Sequence, residues 1–155
     1  MTQEPIDIQD TILQVLERNQ FAVLATQRSG QPHASLIAFT PLEGLRVLAF
    51  ATYRDTLKYE SIQQDPRVAI LVEDRELGDR HSGQRLVVTA LGEAIETPED
   101  ERHAFIAEHL ARQPDLESFL SSPECEFIRV AVHSYQVVGG IEDVRWYKVG
   151  GSAAT

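Results

Sequence analysis

Residues 21–52 read FAVLATQRSGQPHASLIAFTPLEGLRVLAFAT. Strand formers fill 21–27, the Gly and Pro of Arg28-Ser29-Gly30-Gln31-Pro32 interrupt them, and strand formers resume over 33–40. That pattern predicts a β-hairpin. Pro41-Leu42-Glu43-Gly44 predicts a second turn, and LRVLAFAT at 45–52 predicts a third strand. Consecutive strands joined by short turns form an antiparallel meander, so the rest of the chain is read for what completes or covers it.

Upstream, Ile8, Ile12, Val15 and Leu16 recur at helical spacing before Asn19-Gln20, which predicts a short amphipathic helix able to cap the sheet. Downstream, Asp55 is placed to cap a helix ending near Gln64, with Leu57 and Ile62 inward and Pro66 beyond its end. VAILV at 68–72 reads as a compact apolar strand, 73–84 as a polar loop in which Glu73 and Asp74 are solvated, and 85–96 as a longer strand. Thr97 as cap, Pro98 in the first helical position, and Glu99 and Asp100 at the positive end of the dipole predict a helix to about Arg112. Phe105, Ile106, His109 and Leu110 form its buried face, and Pro114 stops it. A short helical turn through Leu116, Phe119 and Leu120 precedes Pro123. Strands at 126–138 and 144–149, parted by Gly139-Gly140, close one domain over 1–150, with a frayed tail at 151–155. The order α, β, β, β, α, β, β, α, β, β predicts a mainly β fold with flanking helices. A six- or seven-stranded antiparallel barrel satisfies it, because closure removes the edges that sequential strands otherwise expose.

Composition narrows the function. Of 155 residues, 43% are hydrophobic and 25% charged, as in one globular domain with a core of its own. With 14 Lys and Arg against 24 Asp and Glu, the formal charge is −10. Such a surface repels phosphate backbones and anionic headgroups, which argues against nucleic-acid and membrane partners. No apolar run approaches the ~20 residues of a membrane-spanning helix. Glu4, Asp7 and Asp10 stand at the start without a basic or apolar segment, so no secretory signal is expected. The single cysteine, Cys125, cannot form an internal disulfide, and a cytoplasmic setting is expected.

The chemistry-bearing stretch is Ala51-Thr52-Tyr53-Arg54-Asp55-Thr56-Leu57-Lys58, a strand end running into a helix start. Thr52, Arg54, Thr56 and Lys58 gather hydroxyls and cations around helix amides that have no partner, which is what a phosphate monoester needs. The plainer reading makes Arg54 and Lys58 solvated charges and Thr56 a helix-start residue. His81, His103, His109 and His133 show no metal-ligand spacing, and His103 and His109 fall on different sides of one helix. Ser29, Ser82 and Cys125 lack the setting of a nucleophile, and no general acid or base is identifiable.

The opening helix, the hairpin FAVLATQRSGQPHASLIAF, the strand end Ala51-Thr52, the helix start Thr56-Leu57-Lys58 and Asp65-Pro66-Arg67-Val68 together resemble the pyridoxamine 5'-phosphate oxidase-like group of FMN-binding split barrels. The resemblance implies that Thr52, Thr56 and Lys58 hold the FMN phosphate with Arg54 nearby. It also implies that His33, Ser35, Leu36 and Ile37 lie along the flavin ring. It differs from the oxidase itself at Ala38, where that enzyme has Lys, at Leu57, where it has Arg, and at Val87, where it has Gln, with Gln84 three residues earlier. Arg145-Trp146 matches its C-terminal pattern only loosely, and Trp146 could equally cover the flavin of a neighbouring subunit or belong to a core or interface. These departures point away from oxidation of pyridoxamine phosphate. The implied protein is a homodimer with FMN at the subunit interface, acting as a flavin-dependent oxidoreductase. The ending Val137-Val138-Gly139-Gly140-Ile141 is similar to the haem-utilisation branch, for which His81 beside Arg80 is the candidate ligand. A non-catalytic flavin carrier or regulatory module and a deazaflavin-dependent reductase remain as alternatives.

Overall fold

The computed structural model describes residues 7–76, 85–140 and 143–150. Helix α1 (Ile8–Arg18) is capped by Asp7, whose carboxylate accepts from the Gln9 N–H at 3.0 Å. Its stripe of Ile12, Val15 and Leu16 is fully buried, as the helical spacing requires. Strands β1 (Phe21–Arg28), β2 (Gln31–Leu42) and β3 (Val47–Tyr53) follow, then α2 (Leu57–Gln64), β4 (Arg67–Asp74) and β5 (Leu86–Glu96). A 3-10 turn (Glu99–Glu101) leads into α3 (Arg102–Arg112). A second such turn (Pro114–Leu116) leads into the single-turn α4 (Glu117–Leu120), and β6 (Cys125–Gly140) and β7 (Asp143–Lys148) end the order.

Every pairing is antiparallel, in the order β3-β2-β1-β4-β5-β6-β7, with β3 also paired to β6. Six strands therefore close a barrel, and β7 extends the sheet beyond it. Alternation sends Leu24, Phe39, Phe50, Ile70, Val88, Ile128 and Tyr135 inward, and α1 packs into the same core. A smaller apolar cluster lies outside the barrel wall, where Phe105 of α3 and Leu120 of α4 pack on Ala49 and Phe127. Strand β3 is thus buried on both faces. Strands β5 and β6 slip register between Leu91 and Gly92; a Cβ at Gly92 would sit 2.2 Å from the Ala131 carbonyl oxygen, so only glycine allows this approach.

Several local expectations change. Ser29 (φ 51°) and Gly30 (φ 80°) make a two-residue turn, so β2 begins at Gln31 rather than His33. Strand β2 also runs through Pro41 to Leu42, and the next turn uses Glu43 (φ 53°) and Gly44 (φ 68°). Pro41 is tolerated because the missing N–H would face the β1 side, where β1 has already ended: the Phe39 N–H reaches Gln20 instead. The cap of α2 is Thr56, not Asp55. Thr97 is not the cap: its N–H donates to the Phe127 carbonyl at 2.8 Å, Pro98 stands in the cap position of the 3-10 turn, and no side chain caps that turn. Asp74 is buried, not solvated: it ends β4 and accepts from Arg18 Nε at 3.0 Å and Asn19 Nδ2 at 2.9 Å. Gln84, His81 and the tail at 151–155 lie outside the described residues.

Candidate functional site

Strands β2 and β3 pair only from Phe39 opposite Phe50 to Leu42 opposite Val47. Beyond that point β3 stays with β6 as far as Tyr53 opposite Cys125, while β2 stays with β1 as far as Gln31 opposite Arg28. The barrel wall splits there. Because the Phe39 N–H faces β1, alternation along β2 turns the main-chain groups of Leu36, beyond the last β2–β3 pair, into the split. A cleft of about 210 Å³ occupies it, walled by Leu36, Ala38, Ala51 and Tyr53 and roofed by Leu116 and Phe119. The Tyr53 and Phe119 rings meet edge to face at 4.5 Å, closing one side with apolar surface.

The start of α2 forms the polar end of this cleft. Thr56 Oγ1 accepts from the Tyr59 N–H at 3.3 Å, lies 2.9 Å from Thr52 Oγ1, and donates to the Tyr53 carbonyl at 2.9 Å. The first-turn amides of Leu57 and Lys58 have no carbonyl a turn earlier to bond, and the helix dipole adds positive potential there. Lys58 lines the cleft half-buried, with no hydrogen bond or ion pair among the described residues, and burial lowers its pKa. These residues fit a phosphate monoester: a cation without a carboxylate partner, two open amides and two hydroxyls at the mouth of an apolar slot.

Of the residues singled out from sequence, Leu36, Ile37, Thr52, Thr56 and Lys58 meet in this cleft. Arg54 points elsewhere: Nε donates to Glu126 Oε1 at 2.7 Å and an Nη to the Pro123 carbonyl at 2.7 Å, and Arg102 shares the same carboxylate. His33 and Ser35 share the inner face of β2 with Ile37 and Phe39, and His33 Nδ1 and Ser35 Oγ are buried without partners among the described residues. Arg145 and Trp146 sit on β7, with Trp146 opposite Gln136 and 57% exposed, and they do not line the cleft.

Two residues of the neighbourhood were not singled out as functional. His109 of α3 lines the cleft, is 1% exposed, and meets Thr40 Oγ1 through Nδ1 at 2.7 Å. Burial, then the Arg112 charge, pushes its pKa down to about 4, so the imidazole is neutral at neutral pH. The only sequence signal was a histidine on an otherwise apolar helix face. Arg112, one turn on, donates to the carbonyls of Leu16 (2.7 Å), Glu17 (3.3 Å), Phe39 (2.9 Å) and Asn19 and lies over the Phe39 ring. It satisfies the end of α1 from the far side of the chain.

The family model described as pyridoxamine 5'-phosphate oxidase matches residues 8–138. No curated protein sequence matches the chain. Among solved structures it is similar to a heme binding protein from Mycobacterium smegmatis, with a TM-score of 0.83 at 19% identity over 95% of this chain. It spans 60% of that longer protein. It is also similar to general stress protein 26 from Bacillus anthracis (TM-score 0.70, 18% identity, 92% of this chain and 98% of that one). An FAD-binding protein from Mesorhizobium loti is a third likeness (TM-score 0.67, 16% identity, 81% and 87%). At such identities each likeness is one of fold. Among the described residues, no helix is long and apolar enough to cross a membrane.

Proposed function

The chain belongs to the pyridoxamine 5'-phosphate oxidase family, and from that membership we propose that it is an FMN-binding flavoprotein and a flavin-dependent oxidoreductase of the cytoplasm. The observation that carries the reading is Lys58, half-buried and unpaired among the described residues, beside the open amides of α2 in a chain of formal charge −10. Bound FMN would supply reversible electron transfer. The protein's own residues bind and shield: Lys58, Thr52, Thr56 and the α2 amides hold the phosphate, Leu36 offers main-chain groups to the ring's polar edge, and Leu116 and Phe119 keep water out.

The slot is small for so large a ligand, and a second copy of the chain completes it in this proposal. Leu36, Val23 and Leu71 are cross-strand neighbours on the outer face of β2, β1 and β4. They are 69%, 39% and 38% exposed, with Phe21 beside them at 56%, an apolar surface that begins at the cleft's own lip.

Purified protein should carry a flavin band or gain one on titration with FMN, and it should sediment as a dimer. Lys58→Ala should weaken FMN binding by about 1.5–3 kcal/mol, the size of a charge-assisted contact. A colourless protein that leaves FMN free in solution would remove the proposal. The likeness to the mycobacterial heme binding protein supports haem as a second reading, which requires a Soret band on haem addition.

A further inference from the structure

The fold uses only half of the polar atoms of the His109 side chain. Nδ1 meets Thr40 Oγ1 at 2.7 Å, while Nε2 is buried and has no partner among the described residues. Thr40 is 6% exposed, and its hydroxyl has no other partner among the described residues. With Nδ1 accepting from the Thr40 hydroxyl only the Nε2 hydrogen stays unpaired, whereas with Nδ1 donating both the Thr40 hydrogen and the Nε2 lone pair do, so the hydrogen-bond balance favours the neutral ring with its proton on Nε2. Thr40 therefore acts as a positioning residue that sets the tautomer. The result is an N–H donor, buried in the ligand-free chain, on a residue that lines the cleft.

Its position along the cleft adds a second point. Thr40 is still paired, opposite Ala49, whereas Thr52 and Tyr53 lie where β2 and β3 have parted. Counting from Thr40 opposite Ala49 to Thr52, three strand residues, about 10 Å, separate the level of His109 from the polar end formed by Thr52, Thr56 and Lys58. A ligand filling the cleft is met by positive charge at one end and by a single neutral donor toward the other.

We propose that His109 is a ligand-binding residue of the cleft, donating its Nε2 hydrogen to a carbonyl oxygen or ring nitrogen of the bound flat molecule, with Thr40 fixing the tautomer. This rests on the cofactor reading above and adds the end of the ligand that the phosphate anchors leave undefined. It also sets a selectivity: a ring with an acceptor at that edge is favoured over an apolar one of the same size, because the latter leaves the donor buried and unpaired.

The test combines three measurements. Nitrogen-15 NMR of the ligand-free protein should find His109 protonated on Nε2, and Thr40→Val should abolish that preference; a proton on Nδ1 overturns the inference without any ligand. FMN titration should move the His109 Nε2–H resonance and the carbonyl band of the bound flavin. His109→Asn, which keeps an acceptor near Thr40 but loses the distal donor, should weaken FMN about tenfold, and His109→Gln, whose amide reaches the Nε2 position, should restore most of it. Thermal melts identify a variant that fails to fold, in which case the unsubstituted protein's resonance shift decides. If the protein binds FMN with the His109 resonance and the carbonyl band unmoved, this inference falls and the cofactor reading stands. If it binds no FMN, both fall.

Discussion

Two helix ends, separated along the chain by three strands, are treated in opposite ways. At the C-terminus of α1 the protein satisfies its own polar groups: Arg112 takes the carbonyls of Leu16, Glu17 and Asn19, the Asn19 side chain takes that of Val15, and Gln113 takes that of Gln20. At the N-terminus of α2 it stops at one cap, leaving the first amides and the Lys58 ammonium without partners among the described residues. Helix ends expose unpaired groups in either case. Where the fold supplies the partner, the end is structural and substitution should be read as stability. Where it withholds the partner, substitution should be read as affinity.

The largest test of that contrast is Arg112→Met. It keeps much of the apolar stem but strands several buried carbonyls, and it should lower unfolding free energy by about 3 kcal/mol or more in urea melts, whereas Lys58→Ala should leave stability nearly unchanged. A comparable effect comes from pH at His109. Its folded pKa of about 4 lies below the usual value near 6.5, so between those values the unfolded chain binds a proton that the folded chain refuses. Stability contributed above pH ~6.5 is therefore lost as pH falls toward 4, by up to about 3 kcal/mol. Comparing wild type with His109→Gln across pH 4–7 isolates this from the carboxylates, and parallel curves would contradict it. Thr56→Ala should cost about 1 kcal/mol through the lost cap, and FMN affinity should fall with it. The smallest effect is expected at Arg28, whose pair with Glu60 at 2.8 Å is exposed on both sides: Arg28→Gln should change stability by less than about 0.5 kcal/mol.

The order of elements along the chain, the hairpin at Ser29-Gly30 and the buried face of α3 were legible because they depend on local spacing and turn chemistry. The errors had a common cause in contacts distant along the chain. Pro41 reads as a turn until the early end of β1 removes the hydrogen bond it would break. Asp74 reads as a loop charge until Arg18 and Asn19, more than fifty residues earlier, bury it. Thr97 reads as a cap until Phe127 holds its amide. In the cleft, Thr52, Thr56 and Lys58 are close in sequence and were named together. His109 and Thr40, 69 residues apart, could only be brought together by packing α3 on the outside of β2.

Sequence alone determined that this chain makes a mainly antiparallel barrel with a polar, cationic helix start after its third strand, because turn residues, alternation and capping act over a few neighbouring residues. Only the tertiary structure decided which side of β2 faces the cleft, that His33 and Ser35 turn inward, that Arg54 is tied to Glu126 while Lys58 has no such partner among the described residues, and that a histidine lines the cleft. Those outcomes follow from register and from the parting of β2 and β3, and a register is a relation between strands that no single segment carries.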